Sequence, residues 1–176
     1  MYELMVKGFK VGQIGMYAVV GALVLAPRIA GAVDPKSYAG AECQRASGGA
    51  TAYDSAGRIR NASAGVATVV CPIVRDDLSA GNPAWVAANM TVIDNNPLAG
   101  FSCTAQSRSM SGAAVFFSNA STTPAFVGTA TIGFAAVAKQ AGGYYVISCN
   151  VPALSAVGAS SLIASYRVTE PFPAEP

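Results

Sequence analysis

Apolar and polar side chains alternate along this chain with a period of two, in short stretches that end on turn residues. Between residues 66 and 74, Ala67, Val69, Cys71 and Ile73 share one face. Between 85 and 94 the set is Val86, Ala88, Met90 and Val92, with Asn89 and Thr91 opposite. Phe101, Cys103 and Ala105 follow the same rule, as do Tyr145, Ile147, Cys149 and Val151. Residues 126–137 place Ala130, Ile132, Phe134 and Ala136 together, and the last such stretch groups Leu162, Ala164, Tyr166 and Val168. A period of two is that of a strand with one face buried. The run AAVFFS (113–118) reads as a further short apolar strand. Asp54-Ser55-Ala56-Gly57, Asn95-Asn96-Pro97 and Ala141-Gly142-Gly143 carry turn chemistry. Pro72 lacks an N–H, so its end of the 66–74 strand belongs at an edge or a bulge. Strands that each bury one face must face each other in pairs of sheets. The expectation is an all-β, antiparallel, jelly-roll-like β-sandwich over residues 43–170, with a barrel as the alternative.

The ends read differently. Lys7 and Lys10 precede an apolar run from Ile14 to Ala26, and Ala30-Gly31-Ala32 offers a small-residue cleavage site. The run is too short for a bilayer, which takes about 20 apolar residues, and has the form of a secretory signal peptide over residues 1–32. Residues 33–50 are small and polar, and 33–42 are assigned as an N-terminal arm tied down only at Cys43. Residues 171–176 hold three prolines and read as an extended tail. Lys7, Lys10, Arg28 and Glu3 leave with the leader, so the formal net charge falls from +2 to zero. No basic surplus remains to neutralise phosphates, which argues against a nucleic-acid partner. No later segment is long and apolar enough to span a membrane as a helix.

Cys43, Cys71, Cys103 and Cys149 form an even set behind a leader, which indicates two disulfides and a secreted or periplasmic address. Four cysteines allow three pairings. The preferred one is Cys43–Cys71 with Cys103–Cys149, since the first pair brackets a turn-rich stretch and the second lies on apolar strand faces. Each closed loop would stabilise by about 3.5–4 kcal/mol in the chain-entropy model.

The chain has no histidine. That removes Ser-His-Asp and Cys-His nucleophile systems and the usual zinc sets. No phosphate-binding or dinucleotide fingerprint occurs, and no cofactor is expected. A glycosidase-like carboxylate pair survives on paper, drawn from Glu42, Asp54, Asp76, Asp77, Asp94 and Glu170, most of which sit at turns. Asp76, Asp77 and Asp94 are oxygen-rich loop positions of the kind calcium takes, without the spacing of an EF-hand. Asn61, Asn89 and Asn119 open N-x-[ST] sequons.

Flat aromatic rings stack on pyranose faces, and Trp85 and Tyr144 fall opposite the apolar sets of their strands, so both are candidate sugar-binding residues. The segments AECQ (41–44), AGRIRNAS (56–63), VVCPIVRDD (69–77), TVID (91–94), FSCT (101–104), GYYVISCNVP (143–152) and SLIASYRVTE (161–170) resemble, in that order, a group of small exported proteobacterial proteins of unknown function. The resemblance implies an exported, disulfide-bonded β-domain and carries over no activity and no site residue. The leading functional reading is a non-enzymatic surface or matrix interaction module that binds a glycan or another exported protein. The alternatives are a self-associating subunit of an extracellular filament or coat, and a carboxylate-pair enzyme acting on glycosides.

Overall fold

The structure, a computed structural model, describes residues 33–74 and 85–171; for Val33, Asp34, Trp85 and Pro171 it describes the backbone alone. Among the described residues there are eleven strands and no α-helix. They are β1 (Val33–Ala39), β2 (Gln44–Gly48), β3 (Thr51–Tyr53), β4 (Ile59–Asn61), β5 (Ala67–Ile73), β6 (Trp85–Asp94), β7 (Ser102–Arg108), β8 (Ala114–Ser121), β9 (Gly128–Ala138), β10 (Tyr144–Val151) and β11 (Leu162–Pro171).

Every pairing is antiparallel. One sheet runs β3-β4-β11-β6-β9, with β1 also on β11, and the other runs β2-β5-β10-β7-β8. The pairs β4–β11, β5–β10, β6–β9 and β7–β8 are nested one inside the next, which is the order of a rolled-up jelly roll. The expected sandwich is therefore the fold. The apolar sets of the two sheets meet between them: Met90, Val92, Ile132, Phe134, Tyr166 and Val168 come from one, and Val69, Cys71, Cys103, Ile147, Cys149 and Val151 from the other. Met90 Sδ lies 3.3 Å from Cys149 Sγ across that interface. Burying each larger apolar side chain contributes about 1.5–3 kcal/mol, so this facing layer is the main source of stability.

Both long sides of the sandwich are closed by side chains. On one, Tyr166 of β11 donates to the Pro72 carbonyl of β5 at 2.7 Å, and Tyr38 of β1 donates to the Val74 carbonyl at 3.1 Å. The two rings stack with centroids 4.8 Å apart. Burial pushes the Tyr166 hydroxyl above the ordinary tyrosine range, with Tyr38 and Glu42 adding to it, so the group remains a hydrogen-bond donor. Pro72 sits where β2, which ends its pairing at Val70, no longer covers β5; that is the edge position its missing N–H requires. On the other side Ser118 Oγ of β8 accepts from the Ala135 N–H of β9 at 3.0 Å.

Cys43 is bonded to Cys71 and Cys103 to Cys149, closing loops of 28 and 46 residues. Both bonds lie in the same sheet. Cys103 and Cys149 are direct cross-strand partners on β7 and β10, and Cys43 immediately precedes β2, whose Gln44 pairs with Val70 beside Cys71. The sulfur bridges therefore fix register within one sheet, and packing with a few side-chain hydrogen bonds joins it to the other. Two disulfides suit an oxidising, extracytoplasmic compartment. No helix among the described residues is long and apolar enough to cross a membrane.

Three readings of the sequence need correction. Residues 33–39 are no arm tied down only at Cys43: β1 pairs with β11 from Val33↔Pro171 to Ala39↔Ser165, as part of the sheet. The backbone ladder needs no apolar pattern, so small polar residues pair there as well as any. Ala136 faces out and Val137 faces in, because β9 carries an extra residue between Phe134 and Val137 where β6 has Val86 and Ala88. Ala164 is the extra residue of a second bulge, and Ile163 takes the core position in its place. A bulge flips the phase of a period-two pattern, and the sequence alone carries no mark of it. The run AAVFFS is a strand as expected, and it is an exposed edge: β8 has no neighbour in its sheet beyond β7, and Phe116 and Phe117 both face solvent. The leader assigned to residues 1–32 and tail residues 172–176 lie outside the described residues.

Candidate functional site

Residues directly opposite one another in an antiparallel sheet point to the same face. Cys103 and Cys149 point inward, so Gln106, Arg108, Tyr144 and Val146 on the same two strands point outward. On this outward face Tyr144 is paired with Arg108, and Gln106 lies between Val146 on β10 and Phe117 on β8. Tyr144 is 44% exposed and Phe117 65% exposed. Two aromatic rings thus flank an amide and a guanidinium on one flat surface.

The polar pair between the rings is held in place. Arg108 Nε donates to Gln106 Oε1 at 2.8 Å, and Arg108 Nη1 donates to the Gly112 carbonyl at 3.0 Å. Gly112 is in the β7–β8 turn with φ 85°, a conformation that favours glycine. The Tyr144 hydroxyl lies 3.6 Å from where a Cβ on Gly112 would stand, so Tyr144 and Arg108 converge on the same turn. With Gln106 Oε1 engaged, the amide NH₂ is the side of Gln106 available to donate. Flat rings beside fixed donors can stack on a sugar ring while hydrogen-bonding its hydroxyls.

Of the other sequence candidates, Trp85 pairs through its backbone with Ala138, at the same end of the sandwich as Tyr144 but on the opposite sheet. Its side chain, like all of Asp76 and Asp77, lies outside the described residues. Asp94 is fully buried and accepts from Ser161 Oγ at 3.0 Å, Asn96 N at 3.1 Å and Thr122 Oγ1 at 3.1 Å. Those three donors surround it with hydrogens where a cation needs oxygens. Among the described residues no three His, Cys, Asp or Glu side chains cluster closely enough for a metal ion. Asp54 is bound into its own hairpin, accepting from Ala56 N, Arg58 N and, at 2.7 Å, Arg58 Nε. Glu170 is buried and Glu42 exposed. Of the sequons, Asn61 is buried with Nδ2 directed at the carbonyls of Gly65, Val151 and Pro152, whereas Asn89 and Asn119 are exposed.

Phe117, Gln106 and Arg108 escaped the sequence reading. An apolar run on an edge strand looks like core until the pairing partners are known. The signal that was available is that β7's outward set, Thr104, Gln106 and Arg108, becomes progressively longer and more polar toward the Tyr144 end. At the opposite end, loops following β6, β8 and β10 enclose a cavity of about 280 Å³, lined by Asn95, Asn96, Leu98, Val127, Leu154 and Val157 among others.

No family model and no curated protein matches the sequence. A family two carbohydrate esterase from Cellvibrio japonicus is similar in structure with a TM-score of 0.45 and 8% identity, over 82% of this chain and 37% of that one. The chain thus spans little more than a third of that protein's length. Likeness at this level says nothing about chemistry.

Proposed function

We propose that this protein is exported, loses its leader to a signal peptidase, and acts without catalysis by binding a glycan on the outward face of β7, β8 and β10. The observation that carries the reading is the pair of exposed rings, Tyr144 and Phe117, set around the fixed Gln106–Arg108 pair. The binding reading is favoured over an enzymatic one because Asp54 and Asp94 are committed to hydrogen bonds within the fold.

Calorimetric titration of the mature protein against a panel of neutral and acidic oligosaccharides tests it. Tyr144→Ala and Phe117→Ala should each weaken binding about tenfold, the contribution of one stacked ring. A panel without a binder, or affinities that ignore both substitutions, defeats the reading. Trp85→Ala in the same panel reports whether a longer glycan also engages the opposite sheet.

A second reading, self-association, is favoured by one observation. Leu98 is 84% and Val157 89% exposed at the rim of the end cavity, on a chain whose formal charge after leader removal is zero. Little charge repulsion then keeps copies apart. Light scattering that finds only monomer at millimolar concentration ends it.

A further inference from the structure

We infer that the glycan taken by this face carries carboxylate groups, and that Arg108 is the residue that selects for them; this rests on the glycan-binding reading above. The four strands β5, β10, β7 and β8 carry one charged side chain between them, Arg108. Among the described residues no carboxylate pairs with it. Its two hydrogen-bond partners, Gln106 Oε1 and the Gly112 carbonyl, are neutral, so they orient the guanidinium and leave its charge uncompensated.

An arginine needed only to finish the sheet would find a carboxylate or extend into water. Here Nε and Nη1 are tied down, and three of the five N–H donors of a guanidinium remain. A planar group with parallel donors matches a carboxylate in bidentate fashion, which no sugar hydroxyl reproduces. In a uronic acid the carboxylate projects from the ring edge. A uronate stacked on Tyr144 therefore directs its carboxylate sideways along the sheet, and the cross-strand neighbour of Tyr144 is Arg108. Pre-orientation by Gln106 lowers the ordering cost of binding, because the side chain has little rotamer freedom left to lose. Gln106 is thus a positioning residue for Arg108, and its own amide hydrogens serve the hydroxyls.

The test compares oligogalacturonate and oligomannuronate with their methyl esters, and with oligoglutamate, by calorimetric titration of the mature protein. The acid form of at least one saccharide should bind about ten- to hundredfold more tightly than its ester, the range expected for a hydrogen bond to a charged group. Arg108→Gln should abolish that preference and its salt dependence and leave the thermal midpoint within a few degrees of the parent. Acid and ester bound equally, with Tyr144→Ala weakening both, overturns the carboxylate inference while the glycan reading stands. No binding of any saccharide overturns both. Oligoglutamate bound as tightly as the uronates overturns the assignment to a saccharide.

Discussion

At the end of the sandwich where β6 stops, polar groups are buried and spoken for. The Phe101 N–H donates to Thr122 Oγ1 and the Asn95 N–H to Ser161 Oγ, and both hydroxyls pass a hydrogen on to Asp94. Asn95 and Asn96 reach the carbonyls of Ser160 and Ala153. Three loops are pinned to one carboxylate. At the other end Arg108, Gln106 and Tyr144 lie on the surface, with donors in place and partners for only some of them. Both clusters are polar and both are ordered. They differ in where their hydrogen bonds finish: a closed network has nothing left for a ligand, whereas a half-satisfied one at the surface does.

The largest test of that difference is Asp94→Ala. It removes the acceptor from Ser161, Thr122 and Asn96 together. Each buried donor left without a partner costs about 1–3 kcal/mol, so a total loss near 3–5 kcal/mol is expected in urea unfolding. Saccharide affinity of the folded fraction should stay at the parent value. A loss under about 1 kcal/mol would mean that the closed network does not hold the loops. Gly100→Ala probes the same end by packing. A Cβ there would stand 2.6 Å from both the carbonyl oxygen and Oγ1 of Thr122. The backbone would have to shift, at about 1–3 kcal/mol.

Tyr144→Ala is the converse experiment. Its ring is half exposed and the sheet beneath it is paired on both sides by β5 and β7. The unfolding midpoint should move by no more than about 0.5 kcal/mol in stability, while binding falls. Stability loss comparable to that of Asp94→Ala would show that the two ends do not divide the work in this way.

How far these roles were legible beforehand depends on whether a residue's neighbours are local. Val86, Ala88, Met90 and Val92 needed only their own strand's alternation, and all four are buried. Tyr144 needed only the phase of β10, which puts Tyr145 in the core and itself outside. The bulges at Ala164 and before Val137 could not be read, since each is a mismatch between two strands far apart in sequence. Phe117 and Asp94 mark the two failures that matter for function. AAVFFS is apolar in sequence and exposed in space because nothing pairs beyond β8. Asp94 looks like a solvent-facing turn acid because the residues that bury it, Thr122 and Ser161, come from other loops.

Asp54 provides the control for both clusters, and the smallest expected effect. It is a half-buried carboxylate satisfied entirely within its own hairpin, by Arg58 and the Ala56 N–H. Partial desolvation pushes its carboxyl up, but the Arg58 guanidinium and the two backbone N–H groups outweigh this and hold it below the ordinary value of 3.8. A carboxyl whose folded value is depressed adds stability above its unfolded value and loses it as pH falls through the folded one. Urea midpoints of the parent and of Asp54→Asn should therefore differ slightly at pH 6 and converge as the pH falls below the ordinary carboxyl value. A difference that persists unchanged at low pH would assign the effect to the turn's backbone geometry and remove the Arg58 pairing as its cause. Saccharide binding should be indifferent to the substitution throughout. A carboxylate that completes its bonds within five residues of chain is coupled to neither end of the sandwich.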